Sequence, residues 1–393
     1  MDSTLFKQFD NKIIFITGAT GFIGGRLVEL LAENTNAKIK VLVRDYGKAM
    51  RIGRYSIELI GGDLNDESVI QQAVQHCDYV FHCAYGNKGS AESRHKVNVD
   101  GTLNLLIASK ASNVKALIFL STVSVYGLVN SEYLNENETS NPLKNDAYAS
   151  SKLEAERLVL DFSIKNKFHG VVLQPTAVYG PWAPSYVLRP LASLKTHVFP
   201  LINGGQGICN AVYVDDVCQA MLKAAITLKA SGNKYLINGP IHFTWKEFYN
   251  ALAAMVPGSE LISVEAKEMK KRYRASVKKK PVYKIMFRLL KLNKDMFREL
   301  LQYKLFSELA VFAIKHLPDK IVSKLRGSSA SALSKKAVKP ILLLDPDSVD
   351  FFDAQTKISS AKAMKELNYT PEFDSQKSFS QIKQWASWYY SNT

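Results

Sequence analysis

Tyr148 and Lys152 stand four residues apart in Tyr148-Ala149-Ser150-Ser151-Lys152, so on a helix both side chains project from one face. A phenol ordinarily loses its proton near pH 10, and an ammonium beside it favours the phenolate, which brings Tyr148 toward a general acid or base. Thr122 follows a short apolar run, in Ser121-Thr122-Val123-Ser124-Val125-Tyr126-Gly127. Its hydroxyl can hydrogen-bond an oxygen that gains or loses charge during hydride transfer. Tyr-x-x-x-Lys is common in proteins at large, and its meaning here comes from what precedes it.

That is Ile13-Ile14-Phe15-Ile16-Thr17-Gly18-Ala19-Thr20-Gly21-Phe22-Ile23-Gly24, an apolar β-branched run that breaks into three glycines and then into a helical pattern from Arg26. The order is strand, phosphate loop, helix. Glycines let the backbone turn sharply and approach a pyrophosphate, which meets the amides from Gly18 to Gly24 and the positive end of the helix dipole. The spacing is Gly-x-x-Gly-x-x-Gly, so the loop alone leaves the cofactor open. A second apolar run, Ile39-Lys40-Val41-Leu42-Val43, ends at Arg44. An Arg at the end of the second strand accommodates a 2′-phosphate, where NAD enzymes usually present a carboxylate. Arg44, with Lys48 and Arg51 nearby, therefore favours NADP, while the neighbouring Asp45 keeps NAD open.

Further along, Ser56 to Ile60, Tyr79 to Ala84, Ala116 to Leu120, Gly170 to Leu173 and Tyr235 to Gly239 read as strands. The fourth of the whole series ends in the small residues Cys83 and Ala84, beside the expected pyrophosphate. Helical patterns separate the strands, among them one that Asp66 can cap, Val97 to Ser112, and one running from Tyr148 to about Ile164. This alternation predicts an α/β fold, a Rossmann-type doubly wound parallel sheet, with ligands beyond the carboxyl ends of the strands. Residues 1–181 and 211–240 are expected to bind NAD(P). Residues 182–210, 241–266 and 340–393 should form a smaller, discontinuous C-terminal substrate domain. Within these, residues 182–210 look loop-rich and helical, Ile341 to Leu344 reads as a strand, and Phe379 to Tyr390 as a final helix.

Together these residues resemble the extended short-chain dehydrogenase/reductase family, which includes nucleotide-sugar epimerases and dehydratases, dihydroflavonol reductases and 3β-hydroxysteroid dehydrogenases. The resemblance rests on Thr17 to Gly24, Gly62-Asp63-Leu64, Val97 to Thr102, Ser121 to Gly127, Tyr148 with Lys152, Pro175 to Pro181, and Tyr213 to Val217. It implies Tyr148 as acid/base, Lys152 on the nicotinamide ribose, and Thr122 at the family's Ser/Thr position. It also implies Asp63 and Leu64 beside the adenine, and Pro175 and Thr176 along the nicotinamide. Members that dehydrate or decarboxylate sugars carry acidic residues where this chain has Val123 and Ser124, so those reactions are not expected. Many nucleotide-sugar enzymes place an Arg just before the strand of Tyr213, where it can grip a diphosphate bidentately. Cys209 falls at or next to that place, and Arg189 or Lys195 is left as a substitute. Interconversion of a secondary alcohol and a ketone on a lipophilic or sugar-like substrate is the expected reaction. The alternatives are a nucleotide-sugar 4-epimerase with tightly held NAD and a non-catalytic NADP-sensing protein.

The chain has 393 residues, a net charge of +15 and four cysteines without metal or disulfide spacing, which points to a reducing compartment and no metal site. The charge is confined: residues 267–339 hold 21 Lys and Arg against 5 Asp and Glu, an excess of +16. Within this basic insertion, apolar residues recur at helical spacing from Ile285 to Phe312. The longest uncharged run, Leu309 to Ile314, is far too short to span a bilayer. Expected partners are a small-molecule substrate, a second copy of the chain as a homodimer, and an anionic membrane surface reached through 267–339. No recognition module for nucleic acid accompanies the charge. Without a basic-then-apolar leader at Met1, the expected location is cytoplasmic, or peripheral to the inner face of a membrane.

Overall fold

The computed structural model describes residues 3–86, 90–129, 131–144, 146–240, 242–278 and 339–391. Seven strands form the main sheet: β1 Ile13–Thr17, β2 Lys38–Val43, β3 Ile57–Gly61, β4 Tyr79–His82, β5 Ala116–Leu120, β6 Gly170–Pro175 and β7 Lys234–Ile237. All pairings are parallel, in the order β3-β2-β1-β4-β5-β6-β7. The order reverses at β1, so a crevice opens beyond the carboxyl ends of β1 and β4. Thr17 and His82 sit opposite each other there.

Strand alternation sends neighbouring side chains to opposite layers. Ile14 and Ile16 join Leu27 and Met221 on one face, while Phe15 joins Leu105 and Val159 on the other. Helices cover both faces: Phe22–Asn34 and Val214–Ile226 on the first, Glu67–Ala73, Gly101–Ala111 and Ala147–Asn166 on the second. Asp66 caps its helix by accepting from the Ser68 and Val69 amides. The expected helix over Val97 to Ser112 opens instead with a single π turn, Lys96–Asp100, before Gly101–Ala111.

A smaller lobe stands on the carboxyl edge around an aromatic core of Tyr179, Tyr213, Phe243, Trp245, Phe248 and Tyr249. Its chain is discontinuous, returning from the C-terminal segment with Phe373, Ile382 and Ala386. Residues 182–210 hold a strand that the sequence reading lacks, Val198–Ile202, paired in parallel with Glu260–Val264. Pro200 hid it, since proline in mid-strand argues against a ladder. A two-strand ribbon leaves an edge that does not need its N–H. Ile341 to Leu344 forms no strand, only an isolated bridge from Ile341 to Val198, because Pro200, the next residue on that edge, has no N–H to carry the ladder on. The last helix, Ser375–Ser391, starts earlier than expected. Of the basic insertion, the helix Ala266–Lys278 is described. The helical pattern from Ile285 to Phe312 and the run Leu309 to Ile314 lie outside the described residues. Among the described residues, no helix is long and apolar enough to cross a membrane.

Candidate active site

The phosphate loop is built by close approach. Gly18 has φ +72°, and a Cβ there would lie 2.6 Å from the Ala84 nitrogen and the Cys83 carbonyl carbon. A Cβ on Gly24 would lie 2.6 Å from the Gly18 oxygen. The Gly21 amide donates to that same Gly18 oxygen at 2.9 Å. No side chain caps the helix Phe22–Asn34, so its first amides face the crevice as a ready anion cradle.

A buried relay fixes the floor beneath this loop. The Thr102 hydroxyl donates to the Asn98 carbonyl at 2.7 Å, so it accepts from His82 Nε2 at 2.9 Å. His82 Nδ1 is then the acceptor for the Thr17 hydroxyl at 2.7 Å. Thr17 in turn accepts the Ala84 amide at 3.3 Å. Burial, with the Lys152 charge behind it, drives the His82 pKa down to about 3. The imidazole is therefore neutral and locked in one tautomer.

The helix Ala147–Asn166, capped by Asp146, carries Tyr148 and Lys152 to the mouth of the crevice. Lys152 Nζ donates to the Leu120 carbonyl at 2.9 Å and lies 4.7 Å from the Phe119 ring centroid. Burial lowers its pKa to about 8, against a small opposing influence from Cys83. Tyr148 keeps 37% of its surface open to the cavity. Loss of water nevertheless pushes its hydroxyl up to about 12, against a hydrogen bond with Thr122 that favours the phenolate. This corrects the expectation that the lysine depresses the tyrosine: the ammonium is turned to Leu120, and burial dominates the phenol. Thr122 Oγ1 also lies 3.2 Å from Ser124 Oγ and accepts the Ser124 amide at 3.2 Å.

One cavity of about 670 Å³ brings together Gly18, Gly21, Phe22, Ile23, Gly24, Cys83, Thr122, Tyr148, Lys152, Pro175 and Thr176. Thr20, Arg44, Asp63, Leu64 and Ala84 lie off its walls. Thr20 is exposed on the loop. Ala84 is half-buried and supplies its amide to Thr17. Leu64 is buried, its Cβ 2.7 Å from where one on Gly101 would stand. Arg44 is exposed at the end of β2, 3.6 Å from Asp63, whose other oxygen holds the Asn65 turn. Of the cations near Arg44, Arg51 is committed to Glu29 at 2.7 and 2.9 Å, and Lys48 lies 3.4 Å from Asp45.

The sequence reading missed Tyr85, Tyr186, Asn210, Asp347, Phe351 and Thr356, all on the cavity wall. Tyr85 packs edge-on against Tyr148 at 4.6 Å, and its place directly after Cys83-Ala84 was the available signal. Asp347, Phe351 and Thr356 come from the far C-terminal segment and had none. Cys209 is fully buried, with its thiol pushed up by that burial. Its neighbour Asn210 reaches the cavity, held between the Thr356 carbonyl and the Ile358 amide. Arg189 and Lys195 are exposed and off the cavity wall. Among the described residues no cluster suits a metal ion.

Residues 14–238 match the NAD dependent epimerase/dehydratase family. A 2-alkyl-3-oxoalkanoate reductase of Shewanella oneidensis is 29% identical over 254 residues, 61% of this chain and 65% of the relative. A 3beta-hydroxysteroid-dehydrogenase/decarboxylase, isoform 2, of Arabidopsis thaliana is 29% identical over 274 residues, 60% of this chain and 46% of the relative. The chain thus spans less than two thirds of the length of these relatives. Among solved structures, an epimerase from Methanothermobacter thermautotrophicus superposes with a TM-score of 0.70 at 16% identity, covering 99% of this chain and 96% of that one. The UDP-glucuronic acid 4-epimerase of Bacillus cereus, solved with NAD, gives 0.67 at 18% identity, covering 97% and 98%. Such low identity speaks to the fold alone. With more than half its length matched, the chain belongs to the NAD dependent epimerase/dehydratase family, the extended branch of the NAD(P)-dependent short-chain dehydrogenases/reductases.

Proposed function

We propose that this chain interconverts a ketone and a secondary alcohol on a lipophilic substrate. The observation that carries this reading is the cavity wall beyond Tyr148. Leu128, Val129, Leu143, Tyr186, Ile208 and Phe351 face the space a substrate would fill. Among the described lining residues the one cation is Lys152, and the carboxylates are Asp146 and Asp347. No arginine stands there to hold a diphosphate, and Asn210 occupies the neighbourhood where nucleotide-sugar enzymes place one. Relatives named as reductases and hydroxysteroid dehydrogenases support the same class.

The glycine cradle and the uncapped helix end fit a dinucleotide pyrophosphate. Lys152 would hold the nicotinamide ribose, and Pro175 and Thr176 would flank the nicotinamide, which supplies or takes the hydride. Tyr148, protonated at neutral pH with its pKa near 12, gives its proton to the oxygen that becomes negative, and takes one back in the oxidation direction. Thr122 shares that oxygen by hydrogen bond. An exposed Arg44 at the end of β2 supports a 2′-phosphate, so NADP is the proposed cofactor, with Asp63 as the competing partner of Arg44.

The test is turnover of a panel of hydrophobic ketones by the purified chain with NADPH and NADH, followed by loss of reduced-cofactor absorbance. Reduction of apolar ketones, faster with NADPH, is expected. Turnover confined to nucleotide sugars, with NAD released only on denaturation, would replace this reading by the epimerase.

A further inference from the structure

The helix Ala266–Lys278 has two opposed faces. Met269 is fully buried against Ile202, Val264 and Val349. Lys267, Lys271 and Arg274 recur at intervals of four and three, so at 3.6 residues per turn they fall in one narrow stripe on the side away from Met269. All three are exposed. Two further cations on this helix have local partners: Lys270 with Asp350, and Arg272 with Glu268 at 2.8 Å.

The surface beneath Met269 belongs to the helix Pro346–Asp353, which supplies Asp347 and Phe351 to the substrate cavity. Phe351 remains 39% exposed. Of the acidic groups of this second element, Asp347 faces the cavity, Asp345 caps its own helix, Asp350 pairs with Lys270, and Asp353 accepts from Asn203 at 2.9 Å. Two packed helices therefore present a basic stripe outward and a cavity wall inward.

We propose that the stripe Lys267, Lys271 and Arg274 docks the enzyme on an anionic lipid surface, setting the wall of the substrate cavity beside the membrane from which an apolar ketone would come. Charge complementarity carries the contact with lipid. The substrate's source rests on the lipophilic reading of the cavity. Exposed Phe351 on the helix behind the stripe favours lipid over nucleic acid, whose recognition needs base-reading or stacking groups alongside the charge. Each Lys or Arg near an anionic bilayer contributes about 1 kcal/mol, roughly fivefold in partitioning, and salt screens it.

The experiment sediments the full chain with phosphatidylcholine vesicles, with and without phosphatidylserine. Binding is expected with phosphatidylserine, falling as salt rises. In the triple variant Lys267→Glu, Lys271→Glu, Arg274→Glu it should weaken by at least on the order of a hundredfold. Should that variant lose its thermal unfolding transition, Lys267→Gln, Lys271→Gln, Arg274→Gln takes its place with the same expectation. Unchanged binding of a folded variant, equal binding to vesicles without phosphatidylserine, or tighter capture by duplex DNA than by the vesicles overturns the proposal. Sedimentation needs no turnover, so its failure leaves the reductase reading standing. Turnover of a water-soluble ketone, expected to be equal in wild type and variant, tests that reading alone.

Discussion

At the residue scale, the proposed chemistry depends on Tyr148 keeping its proton beside the Lys152 ammonium. A phenol held near pKa 12 by burial is a donor throughout the physiological range, and its removal should act on kcat. Tyr148→Phe is expected to lower kcat about 10²- to 10⁴-fold while cofactor binding, read by fluorescence titration, stays within about twofold. Retention of full turnover would remove Tyr148 from the reaction. His82 carries a second prediction. Its folded pKa of about 3 lies below the ordinary 6.5, so between those values the unfolded chain binds more protons than the folded one. Stability contributed by the neutral imidazole is present above pH 6.5 and lost as pH falls toward 3. Asp216 has the opposite sign, its burial raising the carboxyl to about 6, so the comparison must be with a variant. The difference in melting temperature between wild type and His82→Gln should shrink as pH falls from 7 to 4. A constant difference would mean that His82 titrates no differently once folded.

At the scale of elements, the phosphate-loop helix is tied to its surroundings by charge. Arg26 holds Asp215 of the helix Val214–Ile226 at 2.7 and 2.9 Å, and Glu29 joins Arg26 at 3.1 Å to Arg51. Burial works against ionised Glu29, and the two guanidiniums outweigh it, leaving its carboxyl below the usual range. Removing one member strands the others, at a cost of about 3–5 kcal/mol for a buried pair. Glu29 is near that limit, with its side chain 8% exposed. Glu29→Gln, which keeps the shape and loses the charge, should therefore cost up to about 3 kcal/mol in chemical denaturation. Loss of less than about 0.5 kcal/mol would make the network an ordinary surface one. Gly18→Ala tests the cradle: its Cβ would meet the Cys83–Ala84 backbone at 2.6 Å in a left-handed conformation. At least tenfold weaker cofactor binding is expected, and unchanged affinity would show that the loop yields freely.

At the scale of the whole molecule, the cavity closes only because the C-terminal segment returns across the sheet. Asp216 accepts the Glu372 and Phe373 amides at 2.8 and 3.3 Å, docking that return. Thr356 and Ile358, further up the same segment, then meet Asn210 on the cavity wall. The glycine loop, the strand–helix alternation and the pairing of Tyr148 with Lys152 were all legible in the sequence, because each is set by contacts within one element or between chain neighbours. Their family resemblance followed from the order of those local signals. Asp347, Phe351 and Thr356 were not legible, since they stand some two hundred residues from Tyr148 in the chain and nothing in their own spacing encodes the meeting. Nor was the direction in which burial shifts Tyr148, which spacing alone put toward the phenolate. A local pattern can put an ammonium one helical turn from a phenol. Only tertiary packing determines how much water each loses and which carbonyl the ammonium finds first, and here burial and the Leu120 oxygen decided both.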